Sequence, residues 1–302
     1  MAISRNQLVK ELEPGLNALF GLEYKQYENQ SAEIYTTESS DRAFEEEVML
    51  SGFAQAQVKP EGSGVVYDNA QETFTARYTN ETIALAFAIT EEAIEDNLYD
   101  RLASRYTKAL ARSMAQTKQV KAASPLNNGQ TGGSFTSGDG VTLLNASHPT
   151  LAGTFSNQLS TASDLNETSL EQALIDIAAL TDERGLKIAA KGMKMIIPSA
   201  LQFTADRLMK SAGRVGTADN DINAIKSMGM IPQGYSVNNF LTDADAWFIK
   251  TDVPNGMKHF ERTPLSTKME GDFDTGNVRY KARERYVFGV SDPRGIFGTA
   301  GA

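Results

Sequence analysis

The stretch that decides the fold runs from residue 72 to residue 123 and reads ETFTARYTNETIALAFAITEEAIEDNLYDRLASRYTKALARSMAQTKQVKAA. Its first half, residues 72–89, alternates apolar and polar side chains with period two and predicts a pair of strands. Its second half, residues 90–123, contains neither glycine nor proline and predicts one long helix. Thr90 is placed to cap the first turn, and Ser124-Pro125 is expected to end the helix.

The predicted helix is long for a globular protein. A helix over residues 91–122 would extend about 48 Å at a rise of 1.5 Å per residue, which exceeds the usual three or four turns. Its apolar residues recur at every fourth position and form a row that slants slowly around the helix axis. We expect such a helix to span a thin domain or to bridge its parts. The row consists of Ile94, Leu98, Leu102, Tyr106, Leu110 and Met114.

Composition and charge narrow the class of protein. The chain has 302 residues, a formal net charge of −9 and no cysteine. The length predicts about two domains. The charge disfavours sequence-specific DNA binding but leaves a local basic face open, and the missing cysteines exclude disulfides and thiolate chemistry. Residues 1–10 lack the apolar core of a signal peptide, and no apolar run is long enough to span a membrane, so we expect a soluble protein made in the cytoplasm.

Residues 1–45 precede the deciding stretch and predict an extended N-terminal arm. A short helix is expected over residues 3–20, interrupted by Pro14-Gly15. The remainder of the arm is polar and shows no period. Such an arm becomes ordered only when its scattered apolar residues find a surface, on its own body or on a neighbour.

Residues 46–82 predict a long polar excursion of two strands that projects from the body. Strands are expected over residues 53–59 and 65–67, with a turn at residues 60–64 marked by proline and glycine. An isolated hairpin is marginal in water, so we expect its far end to rest on another molecule. The candidate contact residues near the tip are Lys59, Pro60 and Glu61.

The chain after the long helix predicts a glycine-rich surface loop and then a small α/β layer. A capping box at Thr168 and Glu171 begins a helix, for which Gly185 is the expected C-terminal stop. A buried strand over residues 194–197 and a helix capped by Ser199 follow. Two further strands are expected, over residues 237–241 and 246–250.

A long strand over residues 278–290 carries the most unusual feature of the sequence, which we call the basic ladder. Apolar residues occupy one face of this strand, with Glu284 as the exception. Four like charges on the other face repel one another unless anions oppose them. Three interpretations stay open: a solvated face, contact with acidic segments of neighbouring subunits such as the arm or residues 45–47, and contact with nucleic-acid phosphate. The ladder consists of Arg279, Lys281, Arg283 and Arg285.

The sequence offers no pattern for catalysis, for a cofactor or for a metal ion. The two histidines, His148 and His259, are far apart, and His148 before Pro149 is expected in a turn. No Walker, dinucleotide, zinc-protease or serine-hydrolase motif occurs. Asp219 and Asp221 resemble the start of a calcium loop, but Ala224 and Met230 replace its glycine and glutamate, so we expect no metal there. The acidic run Glu45, Glu46 and Glu47 is expected on a solvated or inter-subunit face.

Five segments of the sequence together resemble a known protein family. The sequence resembles the major capsid proteins of tailed bacteriophages, most of all the Mu-like major head subunit type, which share the Hong Kong 97 fold. The resemblance covers nearly the whole chain. The segments are TIALAFAITEEAIED at residues 82–96, DGVTLLNASHP at 139–149, KMIIPSALQFTA at 194–205, TDADAWFIK at 242–250 and DPRGIFG at 292–298.

The resemblance implies an α+β Hong Kong 97-like fold with named parts. Residues 1–45 would be the N-terminal arm, and residues 46–82 the extended loop that lies over a neighbouring subunit. The long helix would be the spine of the peripheral domain. Residues 83–160 and 257–290 would form that peripheral domain, and residues 161–256 and 291–302 the axial domain.

The function that the resemblance implies is structural. The protein would assemble with itself into hexamers and pentamers of an icosahedral head around double-stranded DNA, in the virion and, during assembly, in the host cytoplasm. Scaffold, portal and decoration proteins would be further partners, and no membrane, cofactor or catalytic residue is implied. Two alternatives are the shell protein of a cellular nanocompartment and a metabolic enzyme with an unrecognised site. An acidic inner surface would leave packaged DNA free to slide.

Overall fold

The computed structural model describes residues 5–90, 92–93, 99–214, 221–272 and 275–302, and of residues 5–12 and 99–102 it describes the backbone alone. The helices are α1 (Arg5–Gln26), α2 (Tyr99–Asn128), α3 (Glu167–Ala178), α4 (Gln202–Lys210) and α5 (Ala224–Met228). The strands are β1 (Thr36–Ser39), β2 (Phe44–Leu50), β3 (Glu72–Thr79), β4 (Glu81–Ile89), β5 (His148–Thr150), β6 (Gly153–Phe155), β7 (Gly192–Ile197), β8 (Tyr235–Val237), β9 (Trp247–Thr251), β10 (Met257–Gly271), β11 (Val278–Val290) and β12 (Ile296–Thr299).

Two four-stranded sheets organise the described part of the chain. The first has the strand order β1-β10-β11-β4, in which β1 runs parallel to β10 and the other neighbours are antiparallel. The second has the order β12-β9-β7-β8, in which only β7 and β8 are parallel. Strands β2 and β3 form a separate two-stranded ribbon. The predicted α+β class is confirmed.

Helix α2 packs against one face of the first sheet. Leu110 and Met114 of α2 are buried in one cluster with Val278, Tyr280 and Ala282 of β11. Side chains of a strand alternate between the two faces of a sheet, and the residues between these three are exposed on the far face. The two faces that the sequence predicted for this strand are therefore confirmed.

The long helix ends later than predicted, and its predicted start at residue 91 stays a prediction because α2 is described from Tyr99 onward. The Ala93 backbone N–H donates to Thr90 Oγ1 at 3.4 Å, as expected of a cap. Residues 91 and 94–98, which include two members of the predicted apolar row, lie outside the described residues. The predicted end at Ser124-Pro125 was wrong, because α2 continues through Pro125 to Asn128. Tertiary contacts hold the extra turn: Leu126 is fully buried, and the Asn127 side chain donates to Phe240 O at 3.0 Å and accepts from the backbone N–H of Thr242 at 3.1 Å.

Residues 5–45 pack on the rest of the chain, whereas the sequence predicted an extended arm. Residues 5–26 form one helix, α1, which passes through Pro14 without ending there. Proline removes one helical hydrogen bond, but Leu16 and Phe20 are buried against α2 and the first sheet, which offsets that loss. Further on, β1 pairs with β10. This segment therefore finds its partners within the chain.

The excursion has strands at its base and none at its tip. Strands β2 and β3 pair from Phe44↔Thr79 to Leu50↔Glu72, whereas the predicted strands over residues 53–59 and 65–67 are absent from this fully described segment. The turn at residues 60–64 is confirmed by the bond from the Ser63 N–H to Pro60 O at 3.2 Å. The two strands predicted over residues 72–89 are present as β3 and β4. They do not pair with each other: β3 pairs with β2, and β4 pairs with β11.

The second sheet and its helices enclose the other large core. Trp247, Ile197 and Leu170 are fully buried within it. The helix start predicted at Thr168 was misplaced: Asn166 is the cap, and its side chain accepts from the Ser169 N–H while Ser169 Oγ accepts from the Asn166 N–H. Gly185 does not end α3, which stops at Ala178; it lies in the following turn. The predicted division into domains stays a prediction.

Candidate inter-subunit surfaces

The base of the excursion is tied to the body through Glu47 of β2. Its carboxylate accepts from the Lys258 ammonium and from the Ser291 hydroxyl, which in turn accepts from the Tyr78 hydroxyl. Lys258 is only 4% exposed and lies 3.0 Å from a second carboxylate, that of Glu38. Burial alone would lower the pKa of Lys258, but the two carboxylates outweigh burial and raise it. The ammonium is therefore charged and holds β1 and β2 on β10.

Two glycines let the excursion enter the body at close range. A Cβ atom at Gly289 of β11 would lie 2.4 Å from Cε1 of Tyr78, and one at Gly138 would lie 2.8 Å from Cα of Ala76. Strand β3 therefore passes through a gap that any larger residue would close. Together with the Glu47 contacts, this gap fixes the direction in which the excursion projects.

The acidic run next to this base is engaged within the chain. Glu45 accepts from Ser40 Oγ at 2.8 Å, Glu46 lies 3.7 Å from Arg77, and Glu47 binds Lys258. The sequence placed these three residues on a solvated or inter-subunit face and offered them, or the arm, as partners of a neighbour's basic ladder. Their internal partners argue against that pairing, and so does the packing of α1.

The tip of the excursion is exposed. Residues 52–72 are all exposed, and Val58 and Tyr67 are each 94% exposed. Lys59, Pro60 and Glu61 lie at the outer turn. Within the described part of the chain, no hydrogen bond or ion pair joins them to the basic ladder. Where the tip meets the paired strands, the Arg184 side chain donates to Asn69 O at 2.6 Å. This bond connects residue 69 to the turn that follows α3.

The basic ladder lies on the face of β11 that points away from α2. Arg279 pairs with Asp272. For Lys281, Arg283 and Arg285, the described residues supply no ion pair. Lys268 of β10 stands directly opposite Lys281, so that like charges face each other. The other neighbouring strand, β4, presents three exposed alanines beside the ladder, which we call the alanine shelf: Ala84, Ala86 and Ala88.

Two buried ion pairs were missed in the sequence. Glu284, the exception on the apolar face, lies 3.3 Å from Lys118 of α2, with its side chain only 1% exposed. Arg294 lies 2.7 Å from Glu183 and 3.3 Å from Asp292, and its guanidinium lies 4.1 Å from the centre of the Phe155 ring. A charged residue interrupting an apolar alternation was the available signal for the first pair. No local sequence pattern indicates that Arg294 is buried with Glu183.

The sequence predicted His148 in a turn, but its side chain is fully buried and connects several segments. Its Nδ1 lies 2.5 Å from Asp139 Oδ2, and its Nε2 lies 3.1 Å from Asn157 Oδ1. The Asn157 Nδ2 donates to Leu143 O and Pro293 O, which leaves the amide oxygen facing the imidazole. Burial raises the pKa of Asp139, but hydrogen bonds from His148 and Ser137 prevail and lower it. The arrangement joins the glycine-rich loop, β5 and the C-terminal segment.

The described residues contain no group of three or more His, Cys, Asp or Glu side chains that could hold a metal ion. Asp219 of the calcium-like stretch lies outside these residues, while Asn223 caps α5 by accepting from the Lys226 N–H at 3.2 Å. No helix in the same part of the chain is long and apolar enough to cross a membrane.

The fold and these surfaces define a class of structural protein: a shell subunit with a two-sheet body and a projecting ribbon. A family model described as phage capsid protein matches residues 73–298. The chain belongs to this family, and the resemblance to the major capsid proteins of tailed bacteriophages is confirmed. No curated protein matches in a sequence search.

Solved capsid structures share the fold at low sequence identity. A virus-like particle from Pyrococcus furiosus matches with a TM-score of 0.52 at 10% identity, over 94% of this chain and 97% of that one. The capsid of Myoviridae phage XM1 matches with a TM-score of 0.54 at 11% identity, over 89% of both chains. Mycobacterium phage Che8 gives 0.53 at 14% identity, over 90% and 92%. The Hong Kong 97-like fold is therefore confirmed.

Proposed function

We propose that this chain is the major capsid subunit that assembles into hexamers and pentamers of an icosahedral head around double-stranded DNA. The observation that carries the proposal is the contrast within the excursion. Its base is clamped by Glu47 and by the gap at Gly289, whereas its tip exposes the apolar side chains of Val58 and Tyr67. An apolar tip held away from its own body by a rigid base is suited to burial on a second copy of the chain.

The basic ladder would receive part of that second copy. Unpaired cations beside the alanine shelf form a flat surface on which an extended acidic segment could lie with its charges matched. Because Glu45, Glu46 and Glu47 are engaged internally, the better candidate is the exposed carboxylate of Glu61 at the tip. Lys59 and Pro60 would then contact the neighbour from the same turn.

The remaining partners follow from this role. Assembly would take place in the host cytoplasm, with scaffold and portal proteins directing it, and the finished head would be part of the virion. A decoration protein would bind the outside of the shell. None of these steps requires catalysis by the subunit.

Replacing the apolar side chains of the tip tests the proposal. In the variant Val58→Ser/Tyr67→Ser, subunits should fold as the wild type does, because both side chains are almost fully exposed, but should assemble poorly. Deletion of residues 57–67 should have the same effect. The matched control is Gln55→Ser/Gln57→Ser, which changes two exposed polar residues of the same tip and should form normal shells. Negative-stain microscopy with light scattering measures assembly; normal shells from the deletion would contradict the assignment.

A further inference from the structure

Helix α2 carries basic residues that the shell contacts described above do not use. From residue 101 to its end at Asn128, this helix contains no aspartate or glutamate, although the whole chain has a formal net charge of −9. Such a bias within one element indicates a local role that differs from that of the protein surface as a whole. The basic residues of this stretch are Arg101, Arg105, Lys108, Arg112, Lys118 and Lys121.

These residues divide into paired and unpaired cations. Lys118 and Lys121 face the first sheet and bind Glu284 and Glu81. Three others are exposed, and within the described part of the chain they form no ion pair and no side-chain hydrogen bond. We call these three the α2 stripe: Arg105, Lys108 and Arg112. The side chain of Arg101 lies outside the described part.

The α2 stripe is narrow and points away from the body. At 100° per residue its three positions fall within an arc of about 60°, and they span roughly 10 Å along the helix axis. Leu110 and Met114, which face the sheet, lie on the opposite side of the helix. The stripe and the basic ladder therefore lie on opposite faces of the same α/β layer. Glu28 shares a shallow cleft with Arg112 but is not within ion-pair distance of it.

We infer that Arg105, Lys108 and Arg112 bind the phosphates of double-stranded nucleic acid, and that this face of α2 lines the inside of the shell. This inference rests on the proposed function. A row of cations on a convex helix can follow the closely spaced charges of a duplex backbone. Phosphate contacts of this kind carry no sequence information, which suits packaged DNA of any sequence.

The surroundings of the stripe favour nucleic acid over a protein partner. The basic ladder has a flat apolar shelf beside it that could bury area against a protein. The stripe stands on a curved helix surface without such a shelf: the half-exposed Tyr106 lies to one side of it and packs on Phe87 of β4. Tyr27 and Phe240 line only the shallow cleft beside Arg112. Three phosphate contacts per subunit are weak individually, so the duplex would be held by many copies and could still slide.

The experiment measures binding of a fluorescent 30-base-pair duplex of mixed sequence to the purified full-length protein, by anisotropy over a range of salt concentrations. The stripe variant is Arg105→Gln/Lys108→Gln/Arg112→Gln. The matched control is Lys281→Gln/Arg283→Gln/Arg285→Gln in the ladder. Both variants remove three positive charges, so their bulk charges are equal, and glutamine retains good helix propensity in α2.

With three phosphates bound, wild-type affinity should fall about 40-fold between 50 and 200 mM salt, since each phosphate contributes a slope of about −0.9. The stripe variant should lose that salt dependence and most of the binding, and the ladder control should keep both. Equal losses in both variants, an unchanged stripe variant, or no wild-type binding at 50 mM salt would overturn the inference. Displacement of the duplex by polyglutamate of the same total charge would also overturn it, in favour of an acidic protein partner.

Microscopy of the same preparations tests the proposed function separately. A stripe variant that forms normal shells but does not bind the duplex supports both statements. If the wild type binds the duplex through the stripe but never forms shells or capsomers under assembly conditions, the phosphate site stands and the capsid proposal fails. If shells form and the stripe variant binds like the wild type, only the phosphate site fails.

Discussion

The basic ladder and the α2 stripe are two unpaired basic surfaces on opposite faces of one α/β layer, and they differ in what surrounds them. The ladder lies on a flat sheet between the alanine shelf and the polar side of β10. The stripe lies on an exposed, convex face of α2 that carries no comparable apolar shelf. A flat, partly apolar surface can bury area against a protein, whereas a curved row of cations mainly supplies charge.

The difference shows that unpaired charge alone does not identify a partner. Both surfaces contain three cations without an ion pair among the described residues, so their electrostatic attraction for an anion is comparable. The neighbouring side chains distinguish them. We therefore expect variants of the ladder to affect assembly and variants of the stripe to affect nucleic-acid binding.

The largest effect should come from the buried ion pair between α2 and β11, the two elements that carry the stripe and the ladder. In Lys118→Met, Glu284 would remain buried without its cation, at a cost of about 3 kcal/mol in the free energy of unfolding. Burial raises the pKa of Glu284, and Lys118 opposes that rise. Without Lys118 the folded-state pKa rises further. Because a raised carboxyl pKa destabilises the folded state as pH increases, the cost should be larger at pH 8 than at pH 5.

Urea unfolding of the unassembled subunit at both pH values measures this cost. The double variant Lys118→Met/Glu284→Gln removes the charge along with its partner and should recover most of the loss at pH 8. A cost that does not change with pH would show that Glu284 is not the group responsible.

The second effect concerns the ladder. Arg283→Glu/Arg285→Glu should leave folding intact, because both residues lie on the outward face of β11, but should raise the subunit concentration needed for assembly at least tenfold, or about 1.4 kcal/mol. The matched control is Arg105→Glu/Arg112→Glu in the stripe, which should assemble at the wild-type concentration. Light scattering against concentration measures both. Equal impairment of the two variants would break the distinction between the surfaces.

A smaller effect tests whether the ladder needs an external anion. Ala86 stands directly opposite Lys281, so Ala86→Glu would supply a carboxylate within the sheet. The subunit should gain roughly 0.8 kcal/mol in unfolding free energy, while its assembly weakens because the ladder is already partly neutralised. Ala86→Gln has a similar size without the charge and should gain no stability. If Ala86→Glu assembled better than the wild type, the ladder would not bind acidic segments.

The smallest effect belongs to the paired cation at the edge of the layer. Lys121 binds Glu81, but the two side chains are 37% and 58% exposed. Solvent screens such a pair, so Lys121→Met should cost only about 0.3 kcal/mol. A cost near that of Lys118→Met would mean that burial does not control the strength of these pairs.

Local sequence patterns predicted which residues lie on a surface better than they predicted which residues those side chains contact. The alternation along residues 278–290 placed the ladder on the outward face because strand side chains point alternately to the two sides. The same reasoning failed for Glu45, Glu46 and Glu47, whose partners come from segments up to the far end of the chain, such as Lys258. The α2 stripe was also present in the sequence, but only the packing of Leu110 and Met114 reveals which face of the helix is free.

The sequence by itself determined the features that depend on neighbouring residues: the strand alternation, the cap at Thr90, the turn at residues 60–64 and the family resemblance. The tertiary structure alone decided where helices α1 and α2 end, which strands pair, and where His148 lies. The physical reason is that a proline costs a helix one hydrogen bond, a local quantity, whereas the burial of Leu16, Phe20 or Leu126 that offsets this loss depends on residues distant in sequence.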